Sequence, residues 1–338
     1  MQLNQVARAM LQTYGAQMAE QFGVTTVAEQ FAITGPKETA LRKKILESSA
    51  FLSMINVMDV DQIVGQVVEV GAQGLHTGRK AGGRFTKDGA VTGHDYALVE
   101  TDSNCSVSWD TLSIWANSGS EGQFMKLLNE SAAEAFARDM LRVGFNGTSA
   151  AATTNATSKP NGEDVNIGWQ ALVARDKAAQ IITTDVYLDA DGGGDYKTLD
   201  AMASDLIQTK IAPQFRNDPR LVVLVGADLV AAESARLYDA ADKPSEKIAA
   251  QNLPYSIAGR KAIVPDFMPG KRMVVTFLSN LQILTQRNTR HRKAKHEEDR
   301  KTFENSYLRW EGYAVGNYDC YAAFDESKVN LGPAPVTP

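Results

Sequence analysis

Along this chain the spacing of apolar residues changes repeatedly, and each change marks a different kind of element. Leu3, Val6, Met10 and Tyr14 recur at helical steps, as do Leu41, Ile45 and Leu46, so the opening predicts helical pieces broken near Gly23 and at Gly35-Pro36. The pattern leaves open whether this segment docks on its own core or on a neighbour. From Ile63 the period shortens. QIVGQVVEV reads as a strand, and YALVETDSNCSVSWDTLSIWA alternates as a half-buried strand does. Between them lie Gly71, Gly74, Gly78, Gly82, Gly83, Gly89 and Gly93, interleaved with Arg79, Lys80, Arg84 and Lys87. Two strands around a basic, glycine-rich tip predict an extended hairpin. Such a hairpin has no core of its own, so it is expected to bury itself against sister molecules.

The clearest helix begins at Ser120, where Ser120-Glu121-Gly122-Gln123 has the form of a capping box. Phe124, Leu127, Leu128, Ala132, Ala135, Phe136, Met140 and Val143 then form one stripe, and Gly144 with Asn146-Gly147 is expected to end it. At about 1.5 Å per residue its length is on the order of 35 Å. A polar run, TSAAATTNATSKPNGED, predicts a surface loop. Helical and strand signals then alternate through IGWQALVARDKAAQII, TDVYLD, GGGDYKTLDAMASDLIQTKI, RLVVLVG and ADLVAAESARLYDAAD. That alternation points to a lobe with a small central sheet. The last third, from RMVVTFL through YLRWEGYAVGNYDCYAAF, is mostly strand-like. RNTRHRKAKHEEDRK within it reads as a charged loop whose basic and acidic halves pair with each other or with neighbouring chains.

Composition narrows the function classes. The 338 residues are 43% hydrophobic and 22% charged, an ordinary globular balance that excludes wholesale disorder. A net charge of −5 argues against a DNA-wrapping surface. Cys105 and Cys320 are too few for a disulfide framework and read as small core residues. No apolar block of signal-peptide or membrane-spanning length occurs, so a chain made in the cytoplasm, with no membrane partner, is expected.

Catalytic and cofactor chemistry finds no support. The residues after Gly78 lack the Gly-Lys-Ser/Thr of a phosphate loop, and the glycines at 192–194 lack the later glycine of a dinucleotide fingerprint. His291 and His296 are five residues apart, which does not place two imidazoles on one helical face. No Gly-x-Ser-x-Gly elbow is present. The expectation is a non-enzyme without cofactor or metal. What remains is reach: an arm, a basic hairpin, one long helix, a mixed lobe and a charged sheet segment. Those are devices for contacting several copies of the same chain.

Several segments also resemble, in order, the major capsid proteins of tailed bacteriophages, in the P2-like myophage branch. They are ESSAFLSMINVMDV (47–60), GFNGTSAA (144–151), VNIGWQAL (165–172), GGGDYKTLDAM (192–202), IAPQFRNDPRLVVLVGADLVA (211–231) and NLPYSIAGRKAIVPDFMPG (252–270). The longest, NLQILTQRNTRHRKAKHEEDRKTFENSYLRWEGYAVGNYDCYA, covers 280–322. The resemblance implies an α+β HK-97-type capsid fold. Its parts would be an N-terminal arm at 1–46, a connector at 47–62, the E-loop hairpin at 63–115 and a P-domain with its spine helix at 116–194. An A-domain at 195–284, a P-domain sheet at 285–332 and a tail at 333–338 complete it.

The implied role is assembly through pentamers and hexamers into an icosahedral head around double-stranded DNA, held without sequence-specific binding. Scaffold, portal, decoration and maturation-protease proteins are the implied partners, the virion the location and the host cytoplasm the place of assembly. Intersubunit contacts would involve Arg79, Lys80, Arg84 and Lys87 of the hairpin. Arg292, Lys293, Glu297, Glu298 and Asp299 of the charged segment would meet them from neighbouring chains. Some relatives lose an N-terminal segment, for which residues 31–36 would be the linker, although the arm is expected to stay here. An encapsulin-like cellular compartment is the alternative shell, and a nucleotide- or sugar-binding enzyme built around RLVVLVGADL the alternative from another class.

Overall fold

The computed structural model describes residues 3–33, 35–69, 77–83, 92–118, 120–239 and 256–335. The opening supplies α1 (Gln5–Phe22), β1 (Phe31–Ala32) and α2 (Pro36–Glu47), followed by β2 (Asn56–Val60), β3 (Val64–Glu69), β4 (Thr92–Ala97) and β5 (Val99–Ser108). Next come α3 (Trp109–Ser118), α4 (Glu121–Asn146), α5 (Trp169–Asp176), β6 (Ile181–Ile182), β7 (Val186–Leu188), α6 (Leu199–Thr209) and β8 (Leu221–Val225). Then follow α7 (Ala227–Asp239), β9 (Ser256–Ile257), β10 (Arg260–Ile263) and β11 (Met273–Phe277). The end is β12 (Leu281–Gln286), β13 (His291–Glu297), β14 (Thr302–Val315), β15 (Ala322–Phe324) and β16 (Val329–Leu331). Segregated sheets and helices make the class α+β.

Two six-stranded sheets organise the body. The first runs β1-β13-β14-β12-β2, with β5 also paired to β14. Its centre is β14, whose alternate residues Phe303, Asn305, Tyr307, Arg309 and Glu311 all point inward. The second runs β6-β15-β11-β8-β10-β9. There β8 is buried on both faces, which explains its uninterrupted apolar sequence. Leu221, Val223 and Val225 meet Leu199, Met202 and Leu206 of α6 and Leu229 of α7, while Val222 and Leu224 join the cluster around α4.

The spine α4 runs for 26 residues, about 39 Å at 1.5 Å per residue. Its start is held by the Gln123 half of the expected box, with the Ser120 backbone N–H donating to Gln123 Oε1 at 3.1 Å. Gly144 does not end the helix. A side chain there would meet the Trp169 ring at 2.6 Å and the Tyr313 ring at 3.0 Å, so this glycine lets α5 and β14 approach the spine.

The arm question resolves toward the chain's own core. Asn4 caps α1 by accepting from the Val6 N–H (3.1 Å), and Gly23 ends it at φ 69°. Ala7, Leu11, Tyr14 and Met18 pack with Leu112 of α3, Phe124 and Leu128 of α4, and Phe303 of β14. The supposed linker at 31–36 is in part β1, paired with β13, and Ile33 is buried with its N–H on the Arg290 carbonyl (2.9 Å).

Two local expectations are corrected. The alternating stretch after β4 stops being a strand at Ser108, whose hydroxyl accepts from the Thr111 N–H (3.3 Å) and starts α3. The charged segment is not a loop: residues 291–297 form β13, paired along its length with β14. Its inward positions are Arg292 and Ala294, so the alternation is real but hidden by a charged residue facing the core.

Candidate assembly surface

The hairpin of β3 and β4 is a separate two-stranded sheet with Gly65 opposite Tyr96 and Val67 opposite His94. The Tyr96 ring lies over Gly65, where a Cβ would come within 2.6 Å of the phenol oxygen, so a side chain at that register would push the Tyr96 ring aside. Gln66 Nε2 donates to Asp95 Oδ1 at 2.9 Å across the ladder. At the base, the Leu98 N–H donates to the Ile63 carbonyl (2.8 Å), and Leu98 packs on Leu284 and Ala314, with Val67, Tyr96 and Trp310 around them. The His94 ring lies 4.0 Å from that of Tyr318. The expectation that the hairpin rests only on sister molecules is therefore corrected: its base rests on its own chain. Even so, Ile63 remains 38% and Val64 65% exposed.

The tip residues 77–83 are all exposed, with Lys80 bridged to Gly83 and Gly82 at φ 81° closing the turn. Arg79 and Lys80 lie here, and among the described residues neither makes an ion pair. Arg84 and Lys87 lie outside the described residues.

On the charged segment the expected contacts divide. Glu298 and Asp299 are exposed in the turn between β13 and β14. Glu297 accepts from Lys295 Nζ at 2.9 Å, and that hydrogen bond holds its carboxyl below the ordinary value. Lys293 is half-buried. Arg292 is a correction, because the pleat turns it inward, 5% exposed, with its guanidinium donating to Asn305 Oδ1 at 2.8 Å. It is not presented on the outer face of β13 beside Lys293. His291 and His296 also take ordinary places, His291 Nδ1 3.0 Å from the Thr289 carbonyl and His296 stacked on Trp109 at 5.2 Å. Among the described residues, the basic tip and the acidic turn form no ion pair within one chain.

Sequence reasoning missed a set of buried ion pairs that lock the arm and loops to the sheets. Arg290 is 1% exposed and bonded to Glu38 of α2 and Asp59 of β2. Burial opposes its charge, yet the neighbouring tyrosine and carboxylates more than offset this and raise its pKa. Arg309 and Glu311 form a second pair (2.5 Å), joined by Ser103 and Tyr313. Arg272 and Glu326 form a third at 2.6 Å. The available signal was charged residues at alternate positions inside otherwise strand-like stretches.

Comparison with known proteins gives this geometry its context. The profile described as "Phage major capsid protein, P2 family" matches residues 10–327. The "Capsid proteins" of Escherichia phage P2 are 26% identical, covering 97% of this chain and 96% of that one. The "Major capsid protein" of Serratia phage KSP20 is 23% identical, covering 96% and 97%. Among solved structures, a chain of the "Satellite phage P4 procapsid including size determination (Sid) protein" is similar, with a TM-score of 0.77. It is 23% identical, with 98% of this chain and 99% of that chain covered. The family match decides for a viral shell over the compartment and enzyme alternatives. This chain belongs to the P2 family of phage major capsid proteins, shell-forming proteins with the HK-97-type fold.

Proposed function

We propose that this subunit closes a head shell through pentamers and hexamers, with the β3–β4 hairpin laid across the adjacent subunit. The observation that carries this is the hairpin's incompleteness: a two-stranded ladder with Val64 65% exposed and a basic tip without a carboxylate partner among the described residues. Exposed edges and apolar faces invite pairing with another chain, and symmetry repeats that contact around each ring. In this reading residues 1–46 are the arm and 63–115 the overlapping loop. Residues 195–284 form the axial lobe, and 116–194 with 285–332 the peripheral lobe. Arg79, Lys80, Arg84 and Lys87 meet Glu298 and Asp299 of a neighbour. Lys293 and Glu297, half-buried on β13, flank that contact.

The subunit works with a scaffold, a portal and a maturation protease, and encloses DNA without gripping it. Affinity for DNA rises with each phosphate neutralised, and a net charge of −5 suits a container that must release its contents. No step of this role requires catalysis by the chain, and assembly takes place in the host cytoplasm. Deleting residues 78–90 tests the hairpin's part. The subunit should keep its circular dichroism and unfolding midpoint but yield no stable shells by electron microscopy. Normal shells from the deletion would remove the hairpin from assembly.

A further inference from the structure

Among the described residues, four arginines are nearly buried, and three of them meet carboxylates: Arg272 with Glu326, Arg290 with Glu38 and Asp59, Arg309 with Glu311. Arg292 is the exception. Among the described residues no carboxylate lies within ion-pair distance of it, and its Nε has no hydrogen-bond partner. Burial pulls its guanidinium below the ordinary value, as expected for a desolvated cation that lacks a counter-charge. A buried charge of this kind is costly until an anion reaches it.

Arg292 lines a cavity of about 340 Å³ between the end of α1, α2 and α4. Phe22, Leu41, Ile45 and Phe136 supply apolar walls, and the exposed Lys37 and Lys44 supply two more cations. Among the described residues no aspartate or glutamate lines it. Glu38, the nearest acidic residue in sequence on α2, is already bonded to Arg290.

We propose that this cavity binds a carboxylate carried on a short apolar body, with Arg292 receiving the carboxylate and Lys37 and Lys44 guarding the mouth. A planar guanidinium matches a carboxylate with two parallel donors. The apolar walls suit the ligand's body better than a fully hydrated phosphate, and the volume falls at the small end of ligand pockets. The same chemistry has two sources: a free amphiphilic acid, or an acidic side chain beside an apolar one on another polypeptide. This site is independent of the hairpin, so its failure would leave the shell reading untouched.

Octanoate titrated into unassembled full-length subunits by calorimetry and thermal unfolding is the direct probe. One octanoate per chain should bind and raise the unfolding midpoint, whereas octanol and octylamine should not. Arg292→Met keeps the length of the side chain and removes the unpaired charge. It should still fold, with a modest loss of stability because Asn305 Oδ1 loses its donor, and lose at least tenfold in octanoate affinity. Lys44→Glu, at the exposed mouth, should fold normally and weaken binding several-fold. Acid extraction of purified shells followed by mass spectrometry reports a resident amphiphile, while displacement of octanoate by an acetyl-Leu-Glu-Leu-amide peptide reports the polypeptide source. Equal response to octylamine, an unchanged octanoate shift in Arg292→Met, or no binding by either carboxylate probe overturns the proposal.

Discussion

The sheet centred on β14 and the β3–β4 hairpin are both antiparallel ladders, yet they finish differently. β14 has partners on both sides along part of its length, and its inward polar side chains are matched: Arg309 by Glu311, Glu311 also by Tyr313, and the Asn305 amide oxygen by a hydrogen bond from Arg292. The hairpin has two strands, leaves Ile63 and Val64 open, and carries a tip whose cations find no acid among the described residues. Folding of one chain completes the first ladder and leaves the second half-made. On the proposed assembly, that difference separates what the sequence spends on the subunit from what it reserves for the shell.

The strongest way to break this comparison is inside β14. Glu311→Ala strips the counter-charge from Arg309 while leaving the guanidinium 2% exposed and still tied to Ser103 Oγ at 2.9 Å. Removing one member of a buried pair costs about 3–5 kcal/mol, so the unassembled subunit should unfold at much lower urea. Replacing both, as Arg309→Met with Glu311→Leu, should restore most of the loss. If the single variant unfolded where the parent does, β14 would not be a ladder completed within one chain.

The same contrast explains what could be read from the sequence. The spine helix was legible because its apolar stripe, from Phe124 to Val143, is uninterrupted by charge facing inward. β13 was not, because Arg292 occupies a core position and makes an alternating strand look like a charged loop. Gly144 looked like a stop because a glycine's role in packing depends on Trp169 and Tyr313, which arrive from distant elements. The hairpin and its basic tip were visible in composition, but its seat on Leu98, Leu284 and Ala314 depends on contacts that no local pattern encodes. The ion pairs of Arg290 with Glu38 and Asp59 span more than two hundred residues and were invisible for the same reason.

Alkaline titration sharpens the comparison with a smaller effect per residue. Burial raises the pKa of Tyr307 and Tyr313 in β14 and, beside the second sheet, of Tyr321. A phenol whose folded pKa exceeds its unfolded one stabilises fully below the unfolded value. That stabilisation is lost as pH rises from there through the folded value, at about 1.4 kcal/mol per unit for each group above roughly pH 10. The urea midpoint should therefore fall between about pH 9 and about pH 11, with the tyrosinate absorbance of these three buried phenols appearing only as the chain unfolds. Tyr307→Phe should flatten that fall, and Tyr96→Phe on the exposed hairpin should flatten it least. A Tyr96 variant that flattened it most would mean that the hairpin, and not β14, holds the buried phenols' energetic weight.

The smallest effect belongs to the tip. Arg79 and Lys80 make no ion pair within the described chain, so the double variant Arg79→Ala with Lys80→Ala should leave the thermal unfolding of isolated subunits unchanged. In assembled shells each exposed pair contributes only ~0–1 kcal/mol, but the contribution repeats at every subunit and is screened by salt. Shells of the variant should dissociate at lower urea than the parent in dilute buffer, and the two should converge as salt is added. A salt-independent difference would assign the tip an apolar or backbone role. A drop in the isolated subunit's stability would mean that the tip is bound to its own body, and the boundary between completed subunit and unfinished hairpin would have to be drawn beyond it.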